Sequence, residues 1–223
     1  MLKTIIAALT AGLWFAGASS ALAQAPHGVA LPDGIDPVSL SRLPALTRAD
    51  LDAEGQAIYD RIIGDDPPPT TGPRAVTLYS PKVAAAFADL NDFLRYNGEL
   101  SPRHTEVAIL VAAWEIEQQY EWSAHEPAAL RFGAPQAVID TIKYDREPVG
   151  LSPEETLIIK FGRQLLREHK LDSALFAEAV ERFGATGTVE LATVMGDYVM
   201  AGIVLTAVDQ QLPADRPALM PAR

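Results

Sequence analysis

SPRHTEVAILVAAWEIEQQYEWSAHEPAALRFG, residues 101–133, decides how this chain is read. Ser101-Pro102 is a helix start: a serine oxygen caps free backbone N–H groups, and proline's fixed φ suits the first helical position. Val107 to Trp114 are apolar without interruption. A surface helix buries only one face, so this one is predicted to be buried nearly all round. Glu106 stands at its mouth. A polar run from Glu115 to Glu121 follows, and on a second helix Gln118, Glu121, Trp122 and His125 fall at i, i+3, i+4 and i+7. Amide, carboxylate, indole and imidazole make a poor core stripe and a plausible cavity wall. Tyr120 lies off that face, where it either lines the site or packs against a neighbour. Pro127 predicts a break just after His125, freeing a backbone carbonyl near the imidazole.

Outward from this pair, helical signals recur. Asp52 caps a helix from about Ala53 to Ile63, stopped by Gly64 and the prolines at 67–69. Thr70 to Tyr79 is a loop with a helical turn at Pro73, either a plain connector or a pocket border. Ser80-Pro81 starts a helix to about Tyr96, with Val83, Phe87, Leu90 and Leu94 as its expected buried stripe. Gly133 and Pro135 separate off a short helix ending near Lys143. Ser152-Pro153-Glu154-Glu155 is a capping box, opening a helix that buries Leu157, Ile158, Phe161, Leu165 and Leu166. Asp172 caps the next, which turns Leu175, Phe176, Ala179 and Val180 inward and ends at Gly184. A long apolar helix then runs from about Val189 to Gln210, its Gly196, Gly202 and alanines suited to close helix approach. No stretch reads as a strand. The fold class is all-α, a bundle of about eight helices.

Met1 to Ala23 reads as a secretory signal peptide: Lys3, an apolar run from Ile5 to Ala18, and Ala21-Leu22-Ala23 as a small-x-small cleavage pattern before Gln24. An uncleaved anchor is the alternative, with an apolar run short for a span. The expected organisation is a leader (1–23), an extended arm (24–46) laid over the body or a partner, one helical domain (47–212) and a tail (213–223). The expected compartment is the periplasm or exterior. A net charge of −11 with no basic cluster argues against nucleic acid, and against anionic membrane surfaces once the leader is removed. The chain has no cysteine, which excludes thiol peroxidase chemistry, disulfide exchange and thiolate metal sites.

Residues 101–133 resemble the carboxymuconolactone decarboxylase and alkylhydroperoxidase D-like superfamily. Its peroxidase branch carries Glu, eleven residues, Cys, two residues, Cys, three residues, His. Here Glu106 and His125 fall on that pattern, while Gln118 and Glu121 stand where the cysteines would be. Tyr120-Glu121-Trp122 with His125 is similar to the cysteine-free, decarboxylase-like variant, and a weaker resemblance extends from about Leu51 to Leu212. It implies a homo-oligomer, trimeric or hexameric. It also implies a last helix beside the site, where Tyr198 either reaches the pocket or is a core tyrosine.

Each site residue has two readings. Glu106 is a carboxylate in a first helical turn favoured by the dipole, or an acid or base whose pKa desolvation raises. His125 is a core histidine beside the break, or the group that moves a proton near neutral pH. Glu121, one turn earlier, orients the imidazole or carries protons itself. Two carboxylates and one histidine are thin for zinc, and His104, roughly opposite Glu106 on its helix, is read as solvent-facing, so neither metal nor cofactor is expected. The family's named reaction is decarboxylation of a lactone acid, in which a nearby acid protonates the carbanion left by carbon dioxide. Trp122, Tyr120 and Gln118 would line the substrate site. An arginine would hold the carboxylate, with Arg103 and Arg74 as candidates and Arg95 read as a surface residue. The expectation is an exported, cofactor-free lyase or isomerase for a small organic acid or lactone. The alternative is an exported module that binds or assembles without catalysis.

Overall fold

Helix α4 (Pro102–Glu115) is the axis of the molecule, whose computed structural model describes residues 31–64 and 66–221. Ser101 caps it as the sequence demands, its side chain accepting the His104 N–H, with Pro102 in the first turn. From Val107 to Trp114 no residue is more than 4 % exposed. Such a helix has no solvent face and must be surrounded. Around it stand α5 (Gln119–Arg131), α6 (Gln136–Lys143), α7 (Pro153–Arg163) and α8 (Ser173–Ala207), with α3 (Pro81–Tyr96) in lighter contact. Helix α7 opens on the expected Ser152/Glu155 capping box and lays Leu157, Ile158, Ile159 and Phe161 into the core. Helices α1 (Ala53–Ile63) and α2 (Pro73–Thr77) flank α3. Eight α-helices and no strand are present among the described residues, so the all-α expectation holds.

Helix α8 bends where the sequence separates two helices. Gly184 has φ 70° and ψ 173°, a conformation essentially restricted to glycine, so the two arms meet there at a kink. By length and composition α8 is apolar enough to cross a membrane. In this fold it is a core helix, with Leu191, Val194, Met195 and Leu205 buried.

Four local expectations are corrected. Helix α3 buries Ala84, Phe87, Ala88, Asn91 and Leu94, while Val83 and Leu90 are exposed. Packing selects the face where small residues allow close approach and where Asn91 finds a buried partner, Asp197. Phe176 is exposed rather than inward. Helix α5 continues through Pro127 with no break after His125. Pro127 sits on the exposed side, where its missing N–H is tolerated while His125, Ala128 and Ala129 hold the buried side. His104, read as solvent-facing, is half-buried edge-on against Phe183, and burial lowers its pKa.

Both ends of the described residues lie on the body. From residue 31 the arm buries Ile35 and Leu40 and is tied to the end of α8: Arg42 N–H donates to Val208 O, and Gln211 N–H to Leu40 O. The tail folds back onto α5, with Leu219 N–H donating to Ser123 Oγ and Met220 N–H to Gln119 Oε1. The signal-peptide reading and the first residues of the arm lie outside the described residues.

Candidate functional site

Between α5, α3, α8 and the loop before α2 is a cavity of about 220 Å3. Helix α5 contributes Tyr120, Glu121, Ala124 and His125, which share a face at i, i+1, i+4 and i+5. Helix α3 contributes Phe87, Asn91 and Arg95, α8 contributes Tyr198, and the tail contributes Arg216. The loop Pro69 to Arg74 completes the wall, so this stretch borders a pocket rather than merely connecting. Its Gly72 has φ 85°, and a Cβ there would lie 2.7 Å from the Tyr120 hydroxyl oxygen. Glycine is needed for both reasons.

A line of charged groups runs through the site. Arg95 Nη2 donates to Glu106 Oε1 at 3.0 Å, and Glu106 Oε2 lies 2.6 Å from His125 Nδ1. Against an ionised carboxylate Nδ1 must carry the proton, which leaves Nε2 as the unprotonated acceptor of the neutral ring. Nε2 lies 3.5 Å from Glu121 Oε2. The edge-to-face ring of Tyr198, 4.8 Å between centroids, braces the imidazole. Glu121 Oε1 is buried with no hydrogen-bond partner.

The two carboxylates are driven apart. Burial pushes the Glu106 carboxyl up, but hydrogen bonding and charge from His125 and Arg95 outweigh it and hold Glu106 below the usual carboxylate range. This corrects the expectation that desolvation raises Glu106. Glu121 is raised instead: burial dominates, and the charges of His125 and Arg216 only partly offset it. Burial also raises Asp197 and Tyr198.

Of the residues singled out in the sequence, Glu106, Glu121 and His125 come together, and Tyr120, Tyr198 and Arg74 reach the cavity wall. Three do not. Trp122 faces the opposite way, fully buried edge-on against Trp114, with Nε1 donating to Glu126 at 2.5 Å. Two residues on from Tyr120 a helical side chain is rotated by roughly 200°, so Trp122 points away from the cavity that Tyr120 lines. Of the two places the sequence left open for Tyr120, it takes the one on the cavity wall. Gln118 is the N-cap of α5 and spends its amide on Tyr120 N–H, Gly202 O and Thr206 Oγ1. Arg103 lies 3.7 Å from Glu155, away from the site. Arg74 is exposed and paired with Asp92 at 2.5 Å.

Sequence reasoning missed Arg95, Asn91 and Arg216. Asn91 and Arg95 are one turn apart on α3, and an amide and a guanidinium in line with Phe87 on one face were a usable signal. Arg216 had none, since its position depends on the tail folding back. As for cation binding, both Glu106 oxygens are taken, leaving Glu121 and His125 Nε2, fewer donors than a protein-held metal needs.

Residues 81–163 match the model of the carboxymuconolactone decarboxylase family. No curated protein sequence matches the chain. Solved structures share the fold. An uncharacterised peroxidase-related protein with an alkylhydroperoxidase AhpD core, from Ralstonia eutropha JMP134, aligns over 79% of this chain and 93% of its own, with TM-score 0.63 and 16% identity. A peroxidase-related protein from Silicibacter sp. TM1040 aligns over 78% and 93%, with TM-score 0.59 and 16% identity. The debrominase Bmp8, in complex with 2,3,4-tribromopyrrole, aligns over 77% and 91%, with TM-score 0.55 and 15% identity. The chain thus matches the carboxymuconolactone decarboxylase family model over residues 81–163 and has the fold of the AhpD core, without a cysteine.

Proposed function

We propose that the protein is a cofactor-free acid/base enzyme, a lyase or isomerase for a small organic acid or lactone. The observation that carries this is the pair of glutamates flanking His125, one held ionised and one pushed toward its neutral form. Two titratable groups with opposed shifts around one imidazole are how a fold separates proton carrier from orienting group. Glu106 is the orienting group: ionised and anchored by Arg95, it fixes the imidazole with Nδ1–H inward. Glu121, protonated, is the acid facing the substrate. In decarboxylation the carbon–carboxylate bond breaks, carbon dioxide leaves, and the electron pair delocalises onto an adjacent carbonyl. The Glu121 proton then passes to carbon. His125 Nε2, unprotonated while Nδ1 keeps its own proton, takes a proton from solvent and passes it to the Glu121 carboxylate, which returns both groups to their starting state. In isomerisation the same pair removes a proton and returns it elsewhere. A thiol route is closed to a chain with no cysteine.

The proposal includes export through the N-terminal leader and assembly into a homo-oligomer. The exposed apolar residues Val189 and Ile203 on α8 support the second point.

The test is incubation of the mature protein with a panel of lactone acids and β-keto acids in D2O, followed by NMR. Loss of carbon dioxide or deuterium incorporation at carbon is expected, and His125→Gln should lower turnover by about 10²–10⁴-fold while leaving ligand affinity largely intact. No turnover and no exchange across the panel, with His125→Gln weakening affinity only, would instead favour the binding module.

A further inference from the structure

We propose that the C-terminal strap, residues 213–221, completes the cavity by supplying Arg216 as its anion-binding residue, so that the site takes a small carboxylate. The inference deepens the acid/base reading above and rests on it for the orientation of the ligand, not for the anion site itself.

Three arginines line the cavity: Arg74, Arg95 and Arg216. Arg74 is paired with Asp92 and Arg95 with Glu106. Arg216 has no ion pair among the described residues, and its Nη1 is buried without a hydrogen-bond partner. A buried unpaired guanidinium nitrogen is costly, and the cost is recovered when an anion reaches it. The side chain is nevertheless placed. Its guanidinium stacks on the Tyr120 ring, 4.7 Å from the centroid, and the Tyr120 hydroxyl hydrogen-bonds with Thr71 Oγ1 at 2.9 Å. The strap is pinned just beyond it by two backbone bonds to α5, and Leu219 and Met220 pack against the main core. Arg216 is therefore held by a segment fastened to the helix that carries Glu121 and His125. A carboxylate on Arg216 would leave the far end of a small ligand beside those two groups.

The cavity sets the ligand's size. At about 220 Å3 it lies below the roughly 300–1,000 Å3 of drug-sized sites. That suits a compact mono- or dicarboxylate.

Calorimetric titration of the full mature protein with benzoate and with benzamide, flat molecules of matched size and different charge, tests this. Benzoate is expected to bind and benzamide to bind at least tenfold more weakly. Arg216→Ala should weaken benzoate at least tenfold without affecting benzamide, and Arg216→Lys should restore part of the loss. Benzoate should also slow hydrogen exchange at the Leu219 and Met220 amides in the native protein but not in Arg216→Ala. His125→Gln should still bind benzoate, so a failed acid/base reading would show as lost turnover with the anion site intact. Equal benzoate affinity in the native protein and Arg216→Ala, no preference for benzoate over benzamide, or no benzoate binding at all would each overturn the strap's assignment.

Discussion

Glu106 and Glu121 carry the same side chain on either side of one imidazole, and their environments act in opposite senses. For Glu121 burial raises the folded pKa above a glutamate's ordinary 4.5. Between that value and the folded pKa the native state keeps a proton the unfolded chain has lost, so stability falls as pH rises through this window. Glu121→Gln has no such proton. Its melting temperature should match the native protein's near pH 4 and exceed it increasingly at higher pH; parallel curves would count against a raised Glu121. For Glu106 the folded pKa is lowered. Its stabilisation is fully present above about 4.5 and is lost as pH falls through the folded value. Glu106→Gln also leaves Arg95 without its carboxylate, and breaking a buried pair costs on the order of 3 kcal/mol at neutral pH. Urea unfolding measures that loss, and a change below ~1 kcal/mol would show that the pair is solvated.

At the scale of elements, α5 shows how packing overrides a local signal. Proline inside a helix costs about 3 kcal/mol relative to alanine, which makes Pro127 a reasonable place to expect a break. The helix nevertheless runs from Gln119 to Arg131, because Glu121, Trp122, His125, Ala128 and Ala129 are buried along it. Pro127→Ala should therefore restore a backbone bond on an exposed face and stabilise the protein by ~2 kcal/mol, read as a higher denaturant midpoint with the site unchanged. A loss of stability would mean that the ring at 127 packs more usefully than its exposure indicates. Helix α3 gives the complementary case. Periodicity favoured Val83 and Leu90, but the neighbours select Ala84 and Ala88 for close contact and turn Asn91 and Arg95 inward. A four-residue apolar repeat allows more than one face, and only the neighbouring helix chooses.

For the whole molecule, exposure of apolar surface on α8 is the unresolved demand. Val189 and Ile203 are each more than 60 % exposed, and Ile203 borders a shallow apolar groove of about 410 Å3 with Ile116, Gly202, Thr206 and Ala207. Covering that face with a second copy would remove it from water, at ~25 cal/mol per Å2 buried. Sedimentation equilibrium of the mature protein should give a trimer or hexamer, and Ile203→Glu should shift it toward monomer without loss of helicity. A monomeric native protein at tens of micromolar would reject the assembly.

The sequence by itself determined the helices, their caps and the all-round burial of Val107 to Trp114, because these depend on neighbours within a turn or two along the chain. Helical spacing also set Glu121 one turn from His125, and the resemblance of the Glu106 to His125 interval to a known family pattern joined Glu106 to them. Only the tertiary structure decided which way Tyr120 and Trp122 face, that Arg95 anchors Glu106, that Glu106 is lowered while Glu121 is raised, and that Arg216 returns to the cavity from the far end of the chain. Each of these depends on groups distant in sequence brought within a few ångströms, where burial and charge act through space rather than along the backbone.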